Sequence, residues 1–319
     1  MSSNSPHHRA LIYPQFGQPR DVLQLGDQPT VFDPQRLAVR MQMAPINPSD
    51  LIPITGAYSH LIKPPMVAGY EGVGIVKAAP ASHQHLIGRR VLPLRGEGTW
   101  QEIVQCDPDI AVPVPDGIRD DLAARSYINP LTALQLLRMW PVAGQRVILT
   151  GAGSFIAAIL AQWALQDGAR EVIAIYRAPS RRAGLEALGV RALHESELDE
   201  IRRLSSGATI AFDAVGGTLG ASVMNAMPAG GEFVGYGLLS GQPVFPTAQT
   251  RANMRRFHLR DVLKDLTPSA WQEAFVPLWP RLLDADLPAA AVFPVSQWRD
   301  ALDEFERSGR PAKPVLSFA

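Results

Sequence analysis

The sequence predicts an α/β protein of two domains, in which a doubly wound parallel sheet follows a mostly β region. Three observations support this prediction. The chain has 319 residues, more than one ordinary domain usually contains. Residues 1–118 carry short β-prone runs between prolines and glycines, a pattern typical of a mostly β domain. Residues 119–267 alternate apolar runs with segments of helical periodicity, as expected of a parallel sheet covered by helices on both faces.

The mostly β region is predicted to contain short strands bounded by turn-forming residues. Examples of these strands cover residues 37–43, 74–77, 90–93 and 101–105. Pro45, Pro48, Gly56 and the pair Pro64-Pro65 lie between them. Proline and glycine interrupt regular pairing because one lacks an N–H donor and the other favours turns. We therefore expect a sheet of short strands here.

The α/β region is predicted from buried strands that alternate with amphipathic helices. The predicted strands are 145–150, 171–176, 191–193, 209–213 and 232–235, and the predicted helices are 154–167, 180–188, 196–204 and 218–227. Apolar residues of the first helix recur on one stripe, which is typical of a helix packed against a sheet. The third helix opens with Ser196 and Asp199 in the spacing of a capping box. The remaining tail adds helices over 270–283 and 298–308 and a strand over 314–317.

Composition and charge exclude several classes of function. Hydrophobic residues make up 46% of the chain, and its 30 basic residues match its 30 acidic residues. Nothing therefore favours nucleic acid or an anionic membrane as a partner. No apolar run could span a bilayer, and the first residues lack the pattern of a secretory signal, so we expect a cytoplasmic protein. The single cysteine, Cys106, excludes an internal disulfide and a multi-cysteine metal site.

The turn after the first strand of the α/β region is a candidate phosphate-binding loop. It consists of Gly151-Ala152-Gly153-Ser154-Phe155-Ile156-Ala157. Small residues at such a turn let the backbone approach a pyrophosphate, and the N-terminus of the next helix favours its negative charge. Ala157 replaces the third glycine of the usual fingerprint, and a glycine pair alone also occurs in ordinary tight turns. Because a strand precedes the loop and an amphipathic helix follows it, we predict dinucleotide contacts at Gly151, Gly153, Ser154 and Phe155.

The end of the second strand indicates which dinucleotide is bound. NAD-binding sites usually carry Asp or Glu here, whereas this chain has Tyr176-Arg177, with Arg181 and Arg182 close behind. A carboxylate would repel a 2′-phosphate, while arginine pairs with it through charge-assisted hydrogen bonds. We therefore predict NADPH as the cofactor, with Arg177 and Arg181 at the phosphate and Tyr176 against the adenine edge. The alternatives are solvated surface arginines and an ordinary partly buried tyrosine.

Two segments of the first region resemble the medium-chain dehydrogenase/reductase family but lack its zinc ligands. Residues 69–74, Gly-Tyr-Glu-Gly-Val-Gly, resemble that family's Gly-His-Glu-x-x-Gly signature, with Tyr70 in place of a histidine ligand. Residues 47–50, Asn-Pro-Ser-Asp, resemble the segment where zinc-dependent members carry a cysteine ligand, with Asn47 at that position. Because neither residue can complete a thiolate–imidazole site, the resemblance implies a zinc-free member with no metal.

Further segments resemble the 2-enoyl thioester reductases of the zinc-free branch. They are Asn47-Pro48-Ser49-Asp50 with Gly56-Ala57-Tyr58, Gly98-Thr99-Trp100, Asn129-Pro130-Leu131-Thr132-Ala133, Val215-Gly216-Gly217 and Val234-Gly235-Tyr236-Gly237. The resemblance implies a GroES-like catalytic domain, residues 1–118 and 268–319, with a Rossmann domain of residues 119–267 inserted into it, and a homodimer. Two stretches depart from the family: residues 242–257 are unfamiliar, and Arg260-Asp261-Val262 replaces a Gly-Phe-Trp strand.

The same resemblance implies NADPH-dependent reduction of a trans-2-enoyl thioester, a small-molecule substrate. Hydride adds to the β carbon, and negative charge collects on the thioester oxygen. Tyr58 is the candidate donor to that oxygen, because a neutral tyrosine remains a donor at neutral pH. Trp100 would shape the pocket over the nicotinamide, and Asn47 would contact the nicotinamide ribose or the substrate. Thr132, Tyr236 and the near-terminal Lys313 would lie at the cofactor.

Structural interpretations of the same residues stay open. Tyr58 follows Gly56 in a turn-like stretch and would then only cover the core edge, while Trp100 would pack in the core. Asp50 and Glu71 invite a general acid–base role, but in zinc-free relatives they resemble structural carboxylates, which is the interpretation we favour. Two other functions use the same scaffold: a quinone or alkenal reductase, and a non-catalytic nucleotide-binding protein of the crystallin type.

Overall fold

The computed structural model describes residues 7–318, which form two compact units. The first unit consists of residues 7–128, 266–284 and 288–318. The second consists of residues 129–265 and 285–287. Each unit has its own sheet and its own apolar core.

The strands are, in chain order, β1 His7–Tyr13, β2 Gln24–Pro29, β3 Leu37–Pro45, β4 Met66–Val67, β5 Val73–Ala78, β6 Arg90–Leu92, β7 Ile103–Cys106, β8 Val112–Pro113, β9 Arg146–Leu149, β10 Glu171–Tyr176, β11 Arg191–His194, β12 Ile210–Asp213, β13 Glu232–Gly235, β14 Asn253–Arg256, β15 Ala290–Pro294 and β16 Lys313–Ser317. The α-helices are α1 Pro19–Val22, α2 Pro48–Leu51, α3 Asp120–Ala123, α4 Thr132–Met139, α5 Phe155–Gln166, α6 Arg182–Ala187, α7 Leu198–Ser205, α8 Gly217–Ala226, α9 Leu259–Leu263, α10 Pro268–Glu273, α11 Leu278–Leu283 and α12 Trp298–Glu306.

The first unit is built around a largely antiparallel sheet in the order β15-β16-β3-β5-β6-β8, with β7 also pairing with β3. Strand β3 lies at the centre of this sheet, and most of its side chains are buried. A smaller sheet has the order β2-β1-β4. Residues from both sheets share one core, including the fully buried Leu11, Met41, Trp100 and Leu316. The last strand of the chain, β16, pairs with β3 and so brings the C-terminal segment beside residues 43–45.

The second unit contains a six-stranded parallel sheet in the order β11-β10-β9-β12-β13-β14. Numbered within the unit, this order is 3-2-1-4-5-6, the arrangement of a doubly wound nucleotide-binding sheet. The chain reverses its direction of travel across the sheet between β9 and β12, and ligands bind such sheets at the carboxyl ends of the strands beside that reversal. The predicted fold class, α/β with a mostly β domain and a doubly wound parallel sheet, is confirmed.

Several predicted helices have different bounds in the structure, and two of the differences have a clear local cause. The helix predicted over 270–283 is two helices, α10 and α11, because Pro277 interrupts the pattern and stands at the N-terminus of the second. Proline cannot donate the hydrogen bond that a helix interior requires. The helix predicted to open at Ser196 begins at Leu198, and the Ser196 hydroxyl instead bonds the Nδ1 atom of His194.

The last strand of the parallel sheet was not predicted. Arg260, Asp261 and Val262 lie in helix α9, and the edge strand is β14, within the segment 242–257 that looked unfamiliar. All four side chains of β14 are exposed and the sequence Asn-Met-Arg-Arg carries no alternation of apolar and polar residues. A strand without a buried face gives no periodic signal to detect.

Candidate functional site

The predicted phosphate loop forms the turn between β9 and α5. Gly151 has a φ of 63°, a conformation that residues with a Cβ atom rarely adopt. A Cβ atom there would also lie 3.3 Å from side chains of Ala214, Val215 and Leu239. Ser154 is the N-cap of α5, and its hydroxyl accepts a hydrogen bond from the Ala157 N–H at 3.3 Å. The helix thus begins directly after the loop, with its partial positive charge facing the loop.

Arg181 lies beside this loop. A Cβ atom on Gly153 would lie 3.3 Å from the Arg181 Cγ atom, so the aliphatic part of Arg181 passes over the glycine. Burial lowers the pKa of Arg181, although a guanidinium stays charged under all ordinary conditions. The loop therefore has a helix N-terminus and a guanidinium side chain beside it. Phe155 occupies the first position of α5.

The end of β10 places Tyr176 and Arg177 differently. Tyr176 is 3% exposed, and its ring meets the ring of His194 edge to face at 5.5 Å. Arg177 is exposed, and its carbonyl oxygen lies 2.8 Å from the Nε2 atom of His194. Because a carbonyl only accepts, His194 must carry its proton on Nε2. Tyr176 is thus buried against His194, whereas Arg177 presents its side chain to solvent.

Polar contacts fix the carboxyl ends of β9 and β12 next to each other. The Asp213 carboxylate accepts hydrogen bonds from the Thr150 hydroxyl at 2.5 Å and from the Gly216 N–H at 2.9 Å. Burial raises the pKa of Asp213.

The hydroxyl of Tyr236, just after β13, is buried without a hydrogen-bond partner among the described residues. Its pKa is raised mainly by burial and also by the charge of Asp213. Most buried hydroxyls have a partner. Thr132, at the start of α4, is 8% exposed.

In the first unit, Asn47 and Lys313 meet in a buried polar cluster. The Lys313 Nζ atom donates to the Asn47 Oδ1 atom at 2.5 Å. The Asn47 Nδ2 atom donates to Glu71 at 2.8 Å and to Asp50 at 3.1 Å. We name these four residues, Asn47, Asp50, Glu71 and Lys313, the buried cluster; each is at most 5% exposed. The amide of Asn47 thus has both its oxygen and its nitrogen engaged with residues of the cluster.

The two carboxylates of the buried cluster also accept hydrogen bonds from backbone N–H groups. Asp50 accepts from the N–H groups of Asn47 at 2.7 Å and Tyr70 at 2.9 Å. Glu71 accepts from the N–H groups of Tyr127 at 3.1 Å and Ile128 at 2.7 Å. These contacts agree with the structural role favoured for both carboxylates.

Burial dominates the ionisation of the cluster. It raises the pKa of Asp50 to about 7, with a further rise from the Glu71 carboxylate, and it raises the pKa of Glu71. Burial lowers the pKa of Lys313 to about 8, although Glu71 and Asp50 favour its charged form. Each group therefore bears its charge at a cost in solvation that the others partly offset.

Tyr58 and Trp100 lie in the first unit outside the buried cluster's hydrogen bonds. Tyr58 is half-buried in a turn that follows Gly56, and its carbonyl oxygen accepts from the Leu61 N–H at 2.8 Å. Trp100 is 1% exposed and donates from Nε1 to the Pro45 carbonyl at 3.1 Å. A Cβ atom on Gly69 would lie 2.3 Å from the Trp100 ring. The indole therefore packs directly beneath the turn at Gly69.

Sequence reasoning missed two contributors to these arrangements. His194 supports the Arg177 backbone, and its only sequence signal is its place at the end of a predicted strand. Arg125 is 3% exposed and bonds the Asp121 carboxylate at 3.1 Å, and it also lies near enough to Glu71 to interact electrostatically. Nothing in the local sequence distinguishes it from a surface arginine.

The described part of the chain, residues 7–318, has no group of three or more His, Cys, Asp or Glu side chains placed to hold a metal ion. Within the same residues, no helix is both long enough and apolar enough to cross a membrane.

Two family models match the chain, one within the first unit and one mostly within the second. The model described as "Alcohol dehydrogenase GroES-like domain" matches residues 33–116. The model described as "Zinc-binding dehydrogenase" matches residues 156–277. The second description applies to the family as a whole; in this chain the two ligand positions discussed above hold Asn47 and Tyr70.

Known proteins with similar sequences and structures are reductases. The mitochondrial enoyl-[acyl-carrier-protein] reductase of Rattus norvegicus is 29% identical over 337 residues, which cover 99% of this chain and 90% of the rat protein. The corresponding Arabidopsis thaliana reductase is 32% identical over 254 residues, 75% of this chain and 68% of the plant protein. The crystal structure of a Bacillus thuringiensis protein assigned as an NADPH:quinone reductase shares the fold with a TM-score of 0.91 and 34% identity, over 99% of this chain and 100% of that chain.

Proposed function

Because the chain belongs to the zinc-free branch of the medium-chain dehydrogenase/reductase family that contains the enoyl and quinone reductases, we propose that it reduces a trans-2-enoyl thioester with NADPH. Membership of this family makes it an oxidoreductase with a GroES-like and a Rossmann domain. The observation that carries the choice of substrate is the similarity to enoyl reductases along nearly the whole chain. The same similarity favours an enzyme over a non-catalytic nucleotide-binding protein.

The residues of the second unit fit NADPH. The two glycines at 151 and 153 leave room for a pyrophosphate beside the N-terminus of α5, where the helix dipole stabilises negative charge. Arg181 beside Gly153 and the exposed Arg177 supply guanidinium groups for a 2′-phosphate, which an NAD-type carboxylate would repel. The buried Tyr236 hydroxyl, unpartnered among the described residues, offers a hydrogen bond to a bound ligand. When bound, NADPH would supply a hydride to the substrate.

We assign to Tyr58 the stabilisation of the developing enolate. Hydride addition at the β carbon moves an electron pair onto the thioester oxygen, and a positioned O–H donor lowers the energy of that charge. Tyr58 is half-buried in a turn fixed by backbone hydrogen bonds, so its phenol remains accessible on a defined backbone. Protonation of the α carbon then completes the reduction, with the Tyr58 hydroxyl as the candidate proton source.

A quinone or alkenal reductase is the second candidate function. The B. thuringiensis structure assigned as an NADPH:quinone reductase has the higher identity, 34%, and supports it. The two functions differ in the acceptor of the hydride. Measuring kcat/KM with NADPH for crotonyl-CoA, longer enoyl-CoAs, quinones and alkenals distinguishes them. A preference for quinones with no turnover of enoyl-CoAs would contradict our choice.

The role of Tyr58 is tested by the substitution Tyr58→Phe, which removes only the hydroxyl. We expect kcat/KM for crotonyl-CoA to fall about 100-fold, with the Kd for NADPH unchanged, because the loss is confined to the charged intermediate. The matched control is Tyr13→Phe, which removes a hydroxyl from a buried tyrosine bonded to Met66 and should leave kcat/KM near wild type. An unaltered kcat/KM in Tyr58→Phe would remove the tyrosine from the mechanism.

We also propose that the enzyme is a homodimer formed through strand β14. This strand is the edge of the parallel sheet and its side chains are exposed. An edge strand presents N–H and C=O groups to which a second copy can add a strand. A two-fold axis through that edge would pair the two copies of β14 with each other.

A further inference from the structure

The buried cluster contains two carboxylates and one ammonium group that the proposed reaction does not use. Asp50 and Glu71 are 2% and 1% exposed, and Lys313 is 5% exposed. Lysine and carboxylates are almost never buried to this degree unless they are paired. Because burial removes these groups from water, other groups of the protein must stabilise each charge.

Neutral donors satisfy the hydrogen-bonding capacity of the carboxylates without balancing their charge. Asp50 accepts from the N–H of Asn47, the N–H of Tyr70 and the Asn47 side-chain amide. Glu71 accepts from the same amide and from two backbone N–H groups of residues 127 and 128. All of these donors are uncharged. Of the cations near Glu71, Arg125 already bonds the Asp121 carboxylate, whereas Lys313 interacts with both Glu71 and Asp50.

The amide of Asn47 connects the ammonium to the carboxylates. Its oxygen accepts from Lys313 Nζ at 2.5 Å, while its nitrogen donates to Glu71 and Asp50. This orientation places the acceptor of the amide toward the cation and its donor toward the anions. Exchanging oxygen and nitrogen would put like partners together at all three contacts. The ammonium therefore contacts a neutral oxygen atom, and the two carboxylates lie on the other side of the same amide. This arrangement is the one expected of a cation-binding site.

We propose that Asn47, Asp50 and Glu71 form a cation-binding site whose occupant is the Lys313 ammonium, supplied by the C-terminal strand of the same chain. The site lies at the two positions, 47 and 70–71, where the sequence matches the ligand-bearing segments of the zinc-dependent family members. The tethered ammonium donates directly to the Asn47 amide oxygen. This inference concerns structure and charge, and it does not depend on which substrate the enzyme reduces.

The tethered cation joins four separate segments of the first unit. Asn47 is the N-cap of α2 and forms a capping box with Asp50. Asp50 also accepts a hydrogen bond from the N–H of Tyr70. Glu71 accepts hydrogen bonds from the N–H groups of residues 127 and 128. Lys313 is the first residue of β16. Lys313 is thus a positioning residue, which balances the charge of the groups that orient these segments.

The first test measures charge balance by thermal unfolding. Lys313→Met keeps most of the volume of the side chain and removes its charge, so it should lower the Tm on the order of 10 °C, because the buried Asp50 and Glu71 lose the ammonium group that offsets their burial. Adding Glu71→Gln to this variant removes one of the uncompensated charges and keeps an acceptor oxygen for the backbone N–H groups. We expect the double variant to melt higher than Lys313→Met alone. The matched control is Lys77→Met at an exposed position of β5, where no large change is expected.

Non-additivity decides the outcome of this test. If the double variant melts lower than Lys313→Met by the full effect of Glu71→Gln, or if Lys313→Met melts like Lys77→Met, the ammonium does not balance these carboxylates. If Lys313→Met yields no folded protein, recovery of folded protein by Glu71→Gln supports the proposal, and failure to recover it overturns it.

The second test refills the site with a free cation. Lys313→Ala deletes three carbons and the ammonium group, which n-propylammonium replaces. We expect n-propylammonium chloride to raise the Tm of Lys313→Ala in a saturable way, while wild type and Lys77→Ala show no such rise. The neutral molecule 1-propanol, at equal concentration, should not stabilise Lys313→Ala. Equal responses of the three proteins, equal responses to the two small molecules, or no response of Lys313→Ala would each contradict a cation site.

Discussion

Arg177 and Arg181 are four residues apart, yet they lie in different surroundings. Arg177 is exposed at the end of β10, and His194 fixes its backbone carbonyl. Arg181 is partly buried with its stem over Gly153. The two guanidinium groups therefore differ, because Arg181 packs against the phosphate loop and Arg177 extends into solvent. A 2′-phosphate bound at this strand end would gain charge-assisted contacts from the exposed side chain.

The substitution Arg177→Asp tests this role directly. It exchanges a positive for a negative charge at the expected 2′-phosphate, so we expect the Kd for NADPH to rise about 10- to 100-fold and the Kd for NADH to change little. Titration of cofactor fluorescence measures both constants. The control is Arg182→Asp, at an exposed arginine paired with Glu186, which should affect both cofactors only weakly. Equal losses for NADPH and NADH in Arg177→Asp would mean that the arginine supports the fold and not cofactor choice.

At the scale of single residues, the sequence identifies the chemical type of a site more reliably than it identifies the contacts that the residues make. Asn47 and Tyr70 are recognisable as substitutes for metal ligands because their neighbours keep a motif. The bond from Lys313 to Asn47 is not recognisable, because it spans 266 positions of the chain and depends on the pairing of β16 with β3. The burial of Trp100 beneath Gly69 is hidden for the same reason, since a Gly-Thr-Trp segment is compatible with a pocket wall or a core.

At the scale of elements, helix α5 links the phosphate loop to the sheet. Its N-cap, Ser154, satisfies the Ala157 N–H, and the helix interior is buried along most of its length. An N-cap contributes about 1 kcal/mol to stability, and Asp caps as well as Ser does. A carboxylate at this position, however, would face the pyrophosphate that the helix N-terminus is expected to bind.

Two substitutions of Ser154 therefore separate capping from cofactor binding. Ser154→Ala should lower the free energy of unfolding by about 1 kcal/mol, because the cap is lost. Ser154→Asp should retain that stability in the absence of cofactor but raise the Kd for NADPH at least about 10-fold, because like charges approach each other. Denaturant unfolding and a binding titration supply the two readouts. Tight NADPH binding by Ser154→Asp would place the pyrophosphate elsewhere.

The elements that the sequence predicts well are those with buried apolar side chains. Strands β10 and β13 have the bounds predicted for them, since their apolar runs end at polar residues or glycines. Pro277 separates α10 from α11, although the helical pattern of the sequence is continuous there. The bond between Ser196 and His194 likewise delays the start of α7. Strand β14 was missed because its side chains face solvent, so its only determinant is backbone pairing with β13.

At the scale of the whole molecule, the order of elements determines the architecture more strongly than any single motif does. Alternating strands and helices in the second unit leave few topologies, because parallel strands need crossover connections and these are right-handed. The return of the C-terminal strand β16 to the first sheet has no such local rule. It follows from pairing with β3, which a reader of the sequence could infer only through resemblance to a family.

The oligomeric state also depends on the whole molecule, and strand β14 allows a specific test of the proposed dimer. The N–H groups of Asn253 and Phe257 donate to Gly231 and Gly235, toward β13. Because successive residues of a strand point to opposite sides, the N–H of Met254 faces the open edge. Met254→Pro should therefore keep the pairing with β13 and block strand addition from a second copy. We expect the mass measured by light scattering to halve while the fold is retained; an unchanged dimer would place the interface elsewhere. Arg255→Pro, whose N–H faces β13, is the control that should lower the Tm instead.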